Sequence, residues 1–93
     1  MSEHAMERAL RRYAQLERRV DAAKNTLNDW SQEYIKTHKR QILKAIKRLA
    51  RELTEVFEYA TEHNVRGTKT QQAYIRTVLL RMHQVVSRAC RAS

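Results

Sequence analysis

Apolar positions recur at helical spacing along nearly the whole chain. Met6, Tyr13, Val20, Leu27 and Tyr34 fall every seven residues, with Ala9, Leu16, Ala23 and Trp30 three places behind. That is an a/d seam of the coiled-coil kind. It predicts a first helix from about Glu3 to about Asn25, and the seam runs on past that end. A seam of this kind suits packing within one chain and packing on a second copy equally well. The segment Asn25–Glu33 is the expected turn. Asn28 or Asp29 can cap a new helix, and Asp29 with Gln32 resembles a capping box.

A second helix is expected from about Asp29 to His63, about 50 Å long at 1.5 Å per residue. Ile35, Ile42, Ile46, Leu49, Leu53, Val56, Phe57 and Ala60 cluster on one stripe of it. Asn64 and Gly67 end it, since both tolerate the left-handed conformation. A third helix opens at Thr68 or Thr70, with Gln71 as a box partner for Thr68, and runs to about Cys90. Its apolar face is Tyr74, Ile75, Val78, Leu79, Met82, Val85, Val86 and Ala89; Arg76, Arg81, Arg88 and Arg91 lie opposite. The expected fold is all-α: a single domain over residues 1–93, with the two long helices in an antiparallel hairpin plus a C-terminal helix.

Composition narrows the picture in the same direction. The 93 residues include no proline and one glycine, so most breakers are missing. Cys90 stands alone, so no intrachain disulfide forms, and a reducing compartment is the expected setting. No apolar run approaches the roughly 20 residues of a membrane span, and Met-Ser-Glu-His begins no secretory signal. A cytoplasmic or nuclear location is expected.

Charge changes the picture more. The formal net charge is +9, unevenly placed. Residues 1–33 cancel to zero, residues 34–51 carry seven cations and no acid, residues 52–62 carry four acids, and residues 63–93 carry six cations and no acid. Like charges one helical turn apart repel by a few tenths of a kcal/mol per pair. A helix that tolerates this repulsion suits a polyanionic partner. On a helical wheel Lys36, Arg40, Lys44, Lys47 and Arg51 fall within about 80° of one another, opposite the apolar stripe. Lys39 and Arg48 lie at the margins of that basic stripe.

Chemistry of other kinds finds little support. His4, His38, His63 and His83 are far apart in sequence, and neither a His-x-x-x-His nor a Cys–His pairing at metal spacing occurs. One glycine cannot build a phosphate-cradling loop. Glu52, Glu55, Glu58 and Glu62 lack the Glu-x-x-His companion of a helical metal site and read as a solvated face or as partners for arginines of another helix. Cys90 has neither a base nor a pocket assigned to it. No metal, cofactor, small-molecule substrate or enzymatic activity is expected. Tyr13, Trp30, Tyr34, Phe57 and Tyr74 lie on or beside apolar stripes and are expected in the core rather than stacking on bases. A long rod charged at mid-helix is a poor major-groove reader but suits backbone contacts along a duplex. Lying on a membrane would pull the apolar stripe out of a small core.

One stretch of the second helix carries a family resemblance: Lys44-Ala45, five residues, Arg51, then Glu52-Leu53-Thr54-Glu55-Val56-Phe57-Glu58. It is similar to the Lys-Ala-x5-Arg-x-apolar-Thr-x-apolar-apolar-Glu pattern of the double-stranded-RNA-binding silencing suppressors of insect nodaviruses. It covers fifteen residues. The resemblance implies a homodimer, a four-helix-bundle-like assembly lying along A-form RNA. It implies sequence-independent binding that shields RNA from Dicer and from small-RNA loading, in the host cytoplasm. Carried over by position, Lys44 and Arg51 would be central phosphate contacts, with Thr54 one turn further along. The chain departs from the pattern at Gln41, where the family has a cysteine, and in the length of its third helix.

The residues expected on RNA are therefore Lys36, Arg40, Lys44, Lys47, Arg48, Arg51 and Thr54. Two other classes remain open on sequence. One is a helical module or small regulator docking an acidic protein. The other is a small helical enzyme holding a dianion with arginines, for which the early Arg-x-x-apolar-Asp pattern of dimeric chorismate mutases is missing.

Overall fold

A computed structural model describes residues 3–91. Four helices account for most of them: α1 (Glu3–Asp29), α2 (Gln32–Thr37), α3 (Lys39–Glu62) and α4 (Lys69–Arg91). Among the described residues there is no strand. The three long helices pack pairwise against one another in a rod of 53 × 18 × 18 Å. The expected hairpin of the first two long helices is present. Arg8 and Arg12 of α1 reach Tyr59 near the end of α3, while Arg19 reaches Glu52 further back, so the two run antiparallel. The C-terminal helix is more than an addition to this hairpin. α4 packs on both α1 and α3 and closes a three-helix bundle within one chain.

The α1 seam supplies one wall of the core. Ala9, Tyr13, Leu16, Val20 and Leu27 are buried, with Met6, Ala23 and Trp30 partly buried against them. Packing within the chain thus accounts for the seam as far as Trp30. α3 contributes Ile42, Ile46, Leu49, Leu53, Val56 and Ala60, alternating four and three residues apart. α4 contributes Ile75, Val78, Leu79, Met82, Val86 and Ala89.

Boundaries differ from expectation in three places, each for a local reason. α1 continues to Asp29 rather than stopping near Asn25, because burial of Leu27 extends the seam by a turn. The next helix starts after Ser31, not at Asp29: the Ser31 hydroxyl accepts the Tyr34 N–H at 3.1 Å, so the cap is Ser31 and not an Asp29–Gln32 box. The long second helix is also interrupted at His38. There the Tyr34 carbonyl accepts the His38 N–H at 3.0 Å and lies 2.9 Å from His38 Nδ1, while the Thr37 hydroxyl donates to the Glu33 carbonyl. Side chains that approach the carbonyls of one turn compete with the helical hydrogen bonds there.

The end of α3 is a Schellman motif. Asn64 takes a φ of 54°, its N–H donates to the Thr61 carbonyl, and the Val65 N–H donates to the Ala60 carbonyl at 2.8 Å. Val65 and Ala60 are both buried, the apolar contact that accompanies this cap. Gly67 adopts a φ of 82°, where an L side chain is strained even in open space. The chain reverses here, and α4 begins at Lys69 with Gln72 donating to the Thr68 carbonyl. The expected Thr68–Gln71 box is not made, since Gln71 Oε1 is buried without a partner.

Candidate nucleic-acid interface

The basic stripe is built by the heptad of α3. Core residues alternating every four and three leave positions 40, 44, 47 and 51 on the opposite side of the helix. Arg40, Lys44, Lys47, Arg48 and Arg51 are all exposed. Arg40 and Arg51 are eleven residues apart, about 16 Å along the axis. Among the described residues the ion pair present is Arg19–Glu52, so the stripe's cations carry no carboxylate partner. That leaves each guanidinium and ammonium free for phosphate oxygens.

Two expected members sit differently. Lys36 belongs to α2 and is half-buried, on the other side of the His38 irregularity from the α3 stripe. Thr54 is exposed, but its hydroxyl donates to the Ala50 carbonyl at 3.2 Å, and it borders the groove between α3 and α4. The outer face of α3 also changes sign along its length. Glu55, Glu58 and Glu62 are exposed beyond Arg51. Glu52 turns toward α1, where Arg19 meets it through two nitrogen–oxygen approaches of 2.9 Å. The hydrogen bond from Arg19 to this carboxylate raises the guanidinium pKa above its already high ordinary value.

The aromatic side chains are less buried than the sequence suggests. Tyr13 is fully enclosed and Trp30 half-buried, but Tyr34 and Tyr74 are each 41% exposed and Phe57 is 43% exposed. Tyr34 lies between Trp30 and His38, tilted at 44° to the first with centroids 4.8 Å apart and stacked on the second at 3.9 Å. Tyr74 donates from its hydroxyl to Asp21 at 2.8 Å across the α1–α4 contact. Phe57 has no such partner and lies at the edge of the α3–α4 groove.

That groove is not foreseen by the sequence pattern. α4 brings Arg76 and His83 beside α3, close to the side on which Arg40, Lys44 and Lys47 project. The signal lies in Leu43, Ala50 and Phe57, a second heptad stripe beside the core one. Among the described residues no three His, Cys, Asp or Glu side chains come together as metal ligands, and no helix is long and apolar enough to cross a membrane. Comparison with protein-family models, curated proteins and solved structures finds no match.

Proposed function

We propose that this chain binds double-stranded RNA without regard to sequence, through the outer face of α3. The observation that carries the reading is the stripe of Arg40, Lys44, Lys47 and Arg51, exposed, unpaired and opposite the core, with Arg48 exposed at its margin. Cations spaced along a straight rod contact successive phosphates and the 2′-hydroxyls of a duplex without reading bases. The motif resemblance adds the biological role: a viral suppressor acting in the host cytoplasm, shielding RNA from Dicer and from small-RNA loading. It also adds a homodimer, in which two rods lay their stripes along one duplex and the phosphates offset the +9 on each chain.

Gel-shift titration against duplex RNA, duplex DNA and single-stranded RNA at two salt concentrations tests the proposal. Duplex RNA affinity should fall steeply with salt. The double variant Lys44→Ala/Arg51→Ala should bind duplexes of every sequence more weakly. It should also flatten the logarithmic salt slope by about two for each chain on the duplex, and so by about four for the homodimer, one for each phosphate left without its cation. Unchanged duplex affinity in a variant that keeps its helical circular dichroism ends this reading.

A further inference from the structure

The groove between α3 and α4 differs from the rest of the bundle surface. It runs from Lys39 and Arg91 at one end to Phe57 and Gln72 at the other. Its floor is apolar, formed by Leu43, Ile46, Ala50, Leu53 and Leu79. Phe57 and Leu80 flank it, 43% and 59% exposed. The α3 side chains of that floor are less completely sealed than the α1 wall: Ile46 and Leu53 keep 7% and 6% exposure, where Tyr13 and Val20 keep none. Both walls are cationic, with Arg40, Lys44 and Lys47 from α3 and Arg76, Arg88 and Arg91 from α4. Among the described residues no acidic side chain lines it.

We propose that this groove docks an amphipathic helix of an acidic partner protein. Leu43 and Phe57 are fourteen residues apart, about 21 Å, which matches roughly four turns of a bound helix. Such a helix would set apolar side chains at i, i+3, i+4 and i+7 on the floor and Asp or Glu flanks against the two basic walls. A second copy suits this groove less well, since the basic stripe or the α4 arginines of one chain would meet the basic walls of the other, and the homodimer of the RNA reading has to pair elsewhere on the rod. A duplex satisfies the walls but offers no apolar surface to Leu80, Phe57 and the floor. The proposal goes beyond RNA binding. It shares Arg40, Lys44 and Lys47 with the stripe, so the partner helix and the duplex compete.

The test uses the full chain and a fluorescent peptide of about 18 residues, with Leu at a and d, Glu at e and g, and Ala elsewhere. Anisotropy should show saturable binding of this peptide and none of its counterpart with Lys at e and g. Leu80→Ser with Phe57→Ser should weaken binding at least about tenfold, as removal of central apolar anchors does. Both side chains are exposed, so circular dichroism should be unchanged. The same variant should keep its affinity for duplex RNA. Arg48→Ala, at a position outside the groove lining, should lower duplex affinity and leave peptide affinity intact. Failure of the acidic peptide to saturate, or equal binding by the double-serine variant, overturns the proposal. So does a dimer in sedimentation that the double-serine variant abolishes, which gives the groove to a second copy. Loss of duplex affinity in that variant gives it to nucleic acid and overturns the proposal equally. Duplex RNA that binds none of these proteins, beside a peptide that behaves as expected, removes the RNA reading alone.

Discussion

The α1 side of the bundle and the α3–α4 side are built from similar helices and finished in opposite ways. On the α1 side Tyr13 and Val20 are completely enclosed, as is Ile75 of α4. Polar contacts fasten its edges: Arg19 to Glu52, Tyr74 to Asp21, and the guanidinium groups of Arg8 and Arg12 5.6 and 5.8 Å from the centre of the Tyr59 ring. The α3–α4 side leaves Phe57 and Leu80 in solvent between walls of one sign. A face that is sealed and charge-balanced serves the fold. A face that is apolar, open and uniformly basic contributes little to stability and is available to a partner.

The sharpest way to break this comparison is to truncate one aliphatic side chain on each side. Ile75→Ala empties a fully enclosed site and should cost about 2–5 kcal/mol, a large part of the stability of a domain this size. Leu80→Ala, one turn and a half away on the same helix, should stay within about 0.5 kcal/mol. Urea denaturation of the two variants measures both. Similar losses at the two positions would mean that the groove is as much a part of the core as the α1 side.

A second substitution reverses the usual sign. Tyr13 Oη is buried without a hydrogen-bond partner, an expensive polar atom in an otherwise apolar site. Tyr13→Phe removes it and keeps the ring, so stability should rise by about 1 kcal/mol. A loss in the denaturation midpoint would show that the hydroxyl is satisfied in solution and that the α1 side is less dry than its geometry implies.

Much of this was readable in the sequence, because amphipathic spacing reports which face of a helix is apolar. The α3 core stripe from Ile42 to Ala60, the left-handed Asn64 and Gly67 and the exposed cations opposite the core all follow from spacing and backbone preference. Spacing does not report how many neighbours cover that face. Leu43, Ala50 and Phe57 widen the apolar stripe of α3 beyond what α1 and α4 enclose, and only the packing reveals that the excess stays in solvent. The aromatic rings misled for a related reason. Tyr34 lies on the α1 heptad, but the chain breaks at Ser31, so the register no longer points it at the core. The interruption at His38 falls where a histidine ring nitrogen lies 2.9 Å from the Tyr34 carbonyl, a local contact that no periodicity records.

The smallest effect tests how the sealed side is fastened. Tyr74 is exposed, and donation of its hydroxyl to Asp21 raises its pKa above the ordinary tyrosine value of 10.0, with desolvation and the nearby carboxylates of Asp21 and Glu17 acting in the same direction and Arg81 against it. The protonated phenol is the form that makes this bond. Because the folded pKa lies above the unfolded one, the contribution is fully present below the unfolded value and disappears as pH rises through the folded value. Wild type should therefore be slightly more stable than Tyr74→Phe at neutral pH. The gap should stay constant up to about pH 10 and close above it. Parallel urea titrations of the two proteins from pH 7 to pH 11 measure the difference directly, since every other titrating group is common to both. The absence of a gap at any pH would mean that Tyr74 contributes through its ring alone, and that the α1–α4 edge is held by packing rather than by this cross-helix hydroxyl.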